Sequence, residues 1–139
     1  MAALRHIFRD QRGAAAVELA IIAPVLAGLA LVSLEIWQTG AAQQKAAAAL
    51  DVATDYYMNG GLDDATAVQA ALDGWLDRPE GATVTSARLA RCGDAPADPA
   101  EVCGDGRRAA IYVALEADST REGAIYSARV RATRTVRVR

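Results

Sequence analysis

Histidine, cysteine and aromatic residues are scarce in this sequence, and their scarcity excludes several classes of protein. The only histidine is His6, and there are two cysteines among 139 residues. Zinc normally needs four protein or water ligands, and nucleophilic catalysis needs a nucleophile beside a base. The sequence shows neither a set of zinc ligands nor a nucleophile with its base, so we expect no enzymatic activity, no metal and no other cofactor.

Large apolar side chains are also few. Aromatic residues make up 5% of the chain, whereas the apolar types together reach 53%, much of it alanine. A core built mainly on small side chains buries little apolar surface, so an additional stabilising link is expected. The net charge of −2 argues against a general nucleic-acid-binding role.

The charges are unevenly distributed along the chain. Residues 1–13 carry Arg5, Arg9 and Arg12 against Asp10 alone, which leaves 12 basic and 16 acidic side chains for the remaining residues. The basic N-terminus is therefore a separate feature. We interpret residues 1–13 as a cytoplasmic leader.

An apolar segment follows over residues 14–37, with only Glu18 and Glu35 charged. About 20 helical residues cross a hydrocarbon core of about 30 Å, and a helix of a soluble domain would normally show a polar face at helical spacing. No such face interrupts this segment. It predicts a single transmembrane helix.

The residues that flank the segment predict its direction. Arg9 and Arg12 precede it, and the next basic residue along the chain is Lys45. Because basic residues are retained on the cytoplasmic side, the N-terminus is expected in the cytoplasm and the C-terminal part outside it. Glu35 and Trp37 are then expected at the outer membrane interface, where tryptophan is enriched.

Two other interpretations of the segment stay open. It resembles a cleaved secretory signal, with Gly40, Ala41 and Ala42 offering small residues to a signal peptidase, although it is long for such a signal. It is also apolar enough for a buried helix of a soluble domain, but the rest of the chain has little apolar surface to cover it.

The N-terminal motif resembles that of a known family. A short basic leader ends at Gly13, small residues and Glu18 follow, and a long apolar helix with the early Pro24 comes next. Over about residues 8–57 this pattern resembles the TadE-like proteins of bacterial Tad (tight adherence) pilus assembly systems, which are related to type IV pili.

The resemblance implies a processing step and an assembly role. In pilin-like members of the Tad system, a prepilin peptidase cleaves after a glycine, and a glutamate occupies the fifth position of the mature chain. Counting from Ala14, Glu18 is fifth, so cleavage is implied between Gly13 and Ala14. The chain is then expected in the bacterial inner membrane, with the lipid bilayer, other pilin-like or Tad subunits and a prepilin peptidase as partners, and no nucleic acid.

The sequence also departs from the family pattern. Leu19 stands where pilins proper often have an aromatic residue, and the C-terminal part is far longer than that of the main pilin subunit. These differences favour an accessory or pilin-like component over the major subunit of a filament.

Beyond the span, the helix is expected to continue to Tyr57 and to stop at the sequence Asn59-Gly60-Gly61. One face of this continuation is marked by residues at helical spacing, most of them alanines: Ala42, Ala46, Ala49, Leu50, Ala53 and Tyr57. Residues 38–61 are thus predicted as a helical extension and turn. Residues 62–139 are predicted as an exported domain. The whole chain is expected to have an α+β fold with a long N-terminal helix.

The exported domain is predicted to hold one further helix and a three-stranded antiparallel sheet. Asp63 or Asp64 caps the helix, which ends near Leu76 with Ala65, Val68, Leu72, Trp75 and Leu76 on its buried face. The predicted strands are residues 83–91, 109–117 and 124–138, with Glu122 and Gly123 in the last turn.

Basic residues alternate with apolar ones in the last predicted strand. Arg129, Arg131, Arg137 and Arg139 fall on one face. We interpret this face as solvated and protective against edge-to-edge pairing, since no aromatic residue interleaves as single-strand nucleic-acid recognition would require. Arg134 falls on the opposite, apolar face, and the pattern does not explain it.

Cys92 and Cys103 are expected to form a disulfide in an exported domain. They bracket a loop rich in proline, aspartate and glycine, and closing a loop of this length contributes just under about 3 kcal/mol in the chain-entropy model. A metal site is the alternative, but the loop aspartates lack the ordered spacing of a calcium loop.

Two functions of different kinds follow. One is a pilin-like component whose helix is processed and takes part in assembly. The other is a membrane-tethered periplasmic binding module unrelated to pili, for which any adequate anchor would replace residues 1–37.

Overall fold

The computed structural model describes residues 11–138, with side chains from residue 16 onward. Its elements, in chain order, are the helices α1 (Gln11–Met58) and α2 (Asp64–Gly74) and the strands β1 (Thr83–Cys92), β2 (Ala95–Ala97), β3 (Ala110–Glu122) and β4 (Ser127–Arg137). The chain divides after Trp37 into two compact units, here called unit 1 (residues 1–37) and unit 2 (residues 38–139). The α+β fold with a long N-terminal helix is as predicted.

α1 ends at a glycine turn. Gly60 has a φ of 89°, a left-handed conformation that glycine adopts without strain. The N–H groups of Gly60 and Gly61 donate to the carbonyls of Tyr57 and Tyr56 at 3.0 and 2.9 Å. These two bonds form a Schellman motif that satisfies the last helical carbonyls. The helix therefore stops where the sequence predicts.

Asp63 caps α2, as one of the two predicted capping residues. Its Oδ2 accepts a hydrogen bond from the Thr66 N–H at 2.8 Å. The helix ends at Gly74, short of the predicted end near Leu76. Trp75 is buried as predicted, but the expected burial of Leu76 is wrong because that side chain is 73% exposed. Ala65, which was expected on the same buried face, is also exposed.

The sheet has four antiparallel strands in the order β2-β1-β3-β4, so the prediction of three strands is wrong. The additional strand, β2, has three residues and pairs with the last three of β1. Gly93, with a φ of 64°, occupies the first central position of the two-residue turn between them. A short segment containing Pro96 looks like a loop in the sequence, and only its pairing with β1 identifies it as a strand.

The hairpin of β3 and β4 is also placed differently from the prediction. β3 continues to Glu122, which pairs with Ser127 at the start of β4. The Gly123 N–H donates to the Tyr126 carbonyl at 3.0 Å across the connection. Glu122 is therefore a strand residue, and the predicted start of the last strand at residue 124 is too early.

The core of unit 2 lies between the helices and one face of the sheet. α1 contributes the face that its alanine spacing predicts. The buried core residues are Ala46, Ala49, Leu50, Ala53, Tyr57, Ala67, Ala71, Trp75, Val84, Val113, Leu115, Ala117, Val130 and Val136. Six of these fourteen are alanines, so the apolar area buried in the core depends on a few larger side chains.

Arg134 reaches from the helix-facing side of β4 to α1. Its Nε donates to Oδ1 of Asp51 at 2.9 Å. Arg134 can stand at an otherwise apolar position of the strand because the Asp51 carboxylate on α1 neutralises its charge. This ion pair explains the one position of β4 that the sequence pattern left without an explanation.

A polar cluster joins the end of α1 to α2 and β1. The Tyr57 hydroxyl donates to Asp64 Oδ1 at 2.7 Å, and Arg88 Nε donates to Asp64 Oδ2 at 2.8 Å. The bond from Arg88 holds the pKa of Asp64 below its ordinary value of 3.8. Burial raises the pKa of the Tyr57 phenol, and its hydrogen bond to Asp64 raises it further.

Replacing Asp64 by alanine is expected to lower the free energy of unfolding of unit 2 by about 1–2 kcal/mol near neutral pH. The loss is modest because 35% of the Asp64 side chain is exposed and water screens its charge. Since the folded-state pKa lies below the unfolded one, this contribution is present above the ordinary pKa and is lost as the pH falls through the folded-state value.

Urea unfolding of the full chain at neutral pH and at about pH 2 measures this contribution. The control is Asp73→Ala, because Asp73 bonds only Gln69 within the same helix, and its loss is expected to stay below about 0.5 kcal/mol. An equal loss for the two variants, or a loss from Asp64→Ala that persists in acid, would contradict the assignment.

Candidate functional site: the apolar segment of α1

The N-terminal part of α1 exposes its large apolar side chains. Among the described residues, one helix qualifies as a candidate membrane span, Ala16–Met58, and its most apolar window of 18 residues has a mean hydropathy of 2.3 and is only 6% buried. Residues 16–34 are exposed without exception, including Leu19, Ile21 and Leu29. A core helix of a soluble protein would be mostly buried. This helix is therefore long and apolar enough to cross a membrane, and unit 1 does not cover it.

Polar groups within the segment are few. The Ser33 hydroxyl donates to the Leu29 carbonyl at 2.8 Å, so its hydrogen bond is satisfied inside the helix. Pro24 lies inside α1, and the helix continues on both sides of it. Both residues are compatible with a lipid environment, which offers no hydrogen-bond partners of its own.

Glu18 is the exposed carboxylate of the segment. Among residues 16–138 it makes no hydrogen bond or ion pair. An ionised carboxylate costs about 2.5–3.5 kcal/mol at the centre of a membrane helix, but near an end it can reach the headgroups. α1 begins at Gln11, so Glu18 lies beyond the first turn, in which the helix dipole would favour its charge. Glu18 is thus placed where a carboxylate is tolerated and is open to a partner.

The other predicted residues of the segment differ in what the structure shows of them. Gly13 and Ala14 lie within the helical backbone of α1, one turn before Glu18. Arg9 lies outside the described residues, as does the side chain of Arg12. Of the two predicted interface residues, Trp37 is 69% exposed, whereas Glu35 is 6% exposed. Glu35 is therefore more enclosed than a simple interface residue would be.

The predicted disulfide is present in unit 2. The Cys92 and Cys103 Sγ atoms lie 1.92 Å apart, with the Cα atoms at 5.4 Å. Within the described part of the chain, no three His, Cys, Asp or Glu side chains converge as metal ligands. The cysteines of this loop are therefore committed to a covalent link.

The basic residues in the middle of β4 are neutralised by β3. Arg129 Nη2 lies 2.8 Å from Asp118 Oδ2, and Arg131 Nε lies 2.8 Å from Glu116 Oε1. The hydrogen bond from Arg129 holds the pKa of Asp118 below its ordinary value. Glu116 and Asp118 alternate along β3 in the same way as the arginines along β4. The sequence shows both patterns, but only the strand register shows that they face each other.

No protein-family model matches the chain, and neither a curated protein nor a solved structure matches it.

Proposed function

We propose that this chain is a pilin-like, single-pass membrane component of a Tad-type pilus assembly system, as its resemblance to the TadE-like proteins implies. The observation that carries the proposal is a helix whose apolar side chains are exposed throughout residues 16–34, with the exposed Glu18 near its beginning. Removing apolar surface from water is favourable by about 25 cal/mol per Å². A bilayer or neighbouring apolar helices supply that environment.

The proposed orientation places the N-terminus in the cytoplasm and unit 2 in the periplasm or outside the cell. It is supported by Arg5, Arg9 and Arg12 before the segment and by the absence of a basic residue from there to Lys45. The disulfide of unit 2 agrees with an oxidising compartment. The bacterial inner membrane is the membrane that the resemblance implies.

Glu18 is the residue we assign to subunit contacts. Cleavage after Gly13 would create a new amine at Ala14, and that amine of one subunit pairs with the Glu18 carboxylate of its neighbour. Ion pairs inside a membrane are favoured because an unpaired charge is costly there. Small residues such as Ala20, Ala27 and Gly28 allow helices to approach closely. The pairing gives the helix an assembly role in addition to anchoring.

The mature N-terminus tests the proposal, and mass spectrometry of protein purified from its native membrane measures it. A start at Ala14 is expected. Gly13→Leu is expected to leave the leader attached, because the cleavage rule requires the glycine. Gly28→Leu is the matched control, since no atom lies within 4 Å of a Cβ at Gly28, and it is expected to be processed normally.

Other starting residues would contradict the proposal in different ways. A start at Met1 or Ala2 favours the membrane-tethered binding module, and a start near Ala42 shows a cleaved secretory signal.

In the same membranes, Glu18→Gln is expected to be processed but to lose most of its chemical cross-links to neighbouring subunits. Unchanged cross-linking by Glu18→Gln would remove Glu18 from the assembly contact.

A further inference from the structure

Four arginines gather at one end of the sheet in unit 2. Arg91 lies near the end of β1 and Arg137 at the end of β4, and the register places them opposite the first residues of β3. Arg107 and Arg108 come from the loop that leads into β3. Arg121, whose side chain bonds Gln38, lies near the other end of β3. The cluster is therefore at the end of the sheet remote from Gln38.

These arginines differ from those in the middle of β4. Arg129 and Arg131 are neutralised by two carboxylates of β3. At the end of the sheet Asp105 is held by Arg107, whose Nη2 lies 2.7 Å from Oδ2, and Asp94 is the other acid beside these four arginines. Among the described residues, Arg91 and Arg108 have no ion pair or side-chain hydrogen bond. The cluster therefore keeps an excess of positive charge.

The loop that carries Arg107 and Arg108 is held in place. The disulfide closes it at Cys103, and the Cys103 N–H donates to the Arg107 carbonyl at 2.7 Å. A bridge pairs Val102 with Arg108, and the Ala109 N–H donates to the Glu101 carbonyl at 3.0 Å. A ligand that bound here would have little backbone to order, and that lowers the entropic cost of binding.

The cluster surrounds a concave surface. A pocket of about 200 Å³ is lined by Gly93, Cys103, Asp105, Arg107, Arg108, Tyr112 and Arg137. A second pocket of about 240 Å³ shares Gly93 and Tyr112 with it and adds Leu89, Arg91, Asp94 and Thr135, so one carboxylate lies beside Arg91. Guanidinium groups bind phosphate and carboxylate oxygens with paired hydrogen bonds. We propose that the two pockets together bind a compact ligand that carries phosphate or carboxylate groups.

Binding of pyrophosphate and of citrate to the full chain tests the proposal. The protein is held in nanodiscs of phosphatidylcholine, which has no net charge, and binding is followed by isothermal titration calorimetry. We expect saturable binding with a dissociation constant of about 1 mM or tighter. Tighter binding of pyrophosphate identifies phosphate as the recognised group, and tighter binding of citrate identifies carboxylate.

Variants separate a built site from general electrostatic attraction. Arg108→Gln and Arg91→Gln remove charges without breaking an ion pair, so unit 2 stays folded. Each is expected to weaken binding about tenfold, since hydrogen bonds between charged groups are lost. Arg129→Gln, on the same side of the sheet, is the matched control and is expected to change binding less than about twofold. No saturable binding of either probe, or equal weakening by all three variants, would overturn the proposal.

Discussion

Leu50→Ala is expected to lower the free energy of unfolding of unit 2 by about 2–5 kcal/mol. Leu50 is fully buried and is among the largest such side chains, together with Leu115, Val113 and Val130. Because much of the surrounding core is alanine, its removal leaves a cavity that small neighbours cannot fill. The loss then includes both the transfer free energy of the side chain and the cavity term.

Urea unfolding of the full chain in detergent measures this loss through the fluorescence of Trp75. Trp75 is 5% exposed, whereas Trp37 is 69% exposed, so a Trp37→Phe background leaves one buried reporter in unit 2. Leu76→Ala is the matched control, because Leu76 is mostly exposed and its truncation is expected to cost less than about 0.5 kcal/mol. Equal losses for the two leucines would show that α1 does not pack as described.

Replacing Cys92 and Cys103 together by serine is expected to destabilise unit 2 by about 3 kcal/mol. The two residues are separated by 11 positions, and the chain-entropy model gives this order of magnitude for such a loop. Ordinary domains have free energies of unfolding of about 5–15 kcal/mol, so this contribution is a large share of the total. The share is larger still when much of the core is alanine.

The same urea experiment, with and without a reductant, isolates the disulfide from the substitution. Reductant is expected to destabilise the unsubstituted protein by a similar amount and to leave the double variant unchanged. A loss below about 1 kcal/mol would show that the loop is already fixed by its backbone hydrogen bonds. In the double variant, pyrophosphate binding is also expected to weaken, because Arg107 and Arg108 lose their anchored loop.

The two units place different demands on the chain. In unit 1 the large apolar side chains of residues 16–34 are exposed, and their transfer out of water is favourable. In unit 2 a modest core is supplemented by a disulfide and by ion pairs such as Arg134 with Asp51. The proposed assembly role and the proposed anion site are therefore independent, and failure of one experiment leaves the other intact.

Several features of this protein were determined by the sequence alone. The sequence predicted the apolar run, the helix stop at Gly60, the alanine face of α1 and the pairing of Cys92 with Cys103, and it narrowed the cap of α2 to Asp63 or Asp64. Each depends on short-range chemistry, since caps, turns and helical faces are set by residues within a few positions of one another, and these two cysteines lie close enough along the chain to close a loop.

The tertiary structure decided the features that join distant parts of the chain. β2 exists only because it pairs with β1, and beyond the end of α2 at Gly74 the structure buries Trp75 and exposes Leu76. Arg134 is understood only beside Asp51, and the arginine cluster forms only because the strand register brings residues far apart in sequence to one end of the sheet. Such contacts depend on register and packing, which a local pattern of residues does not encode.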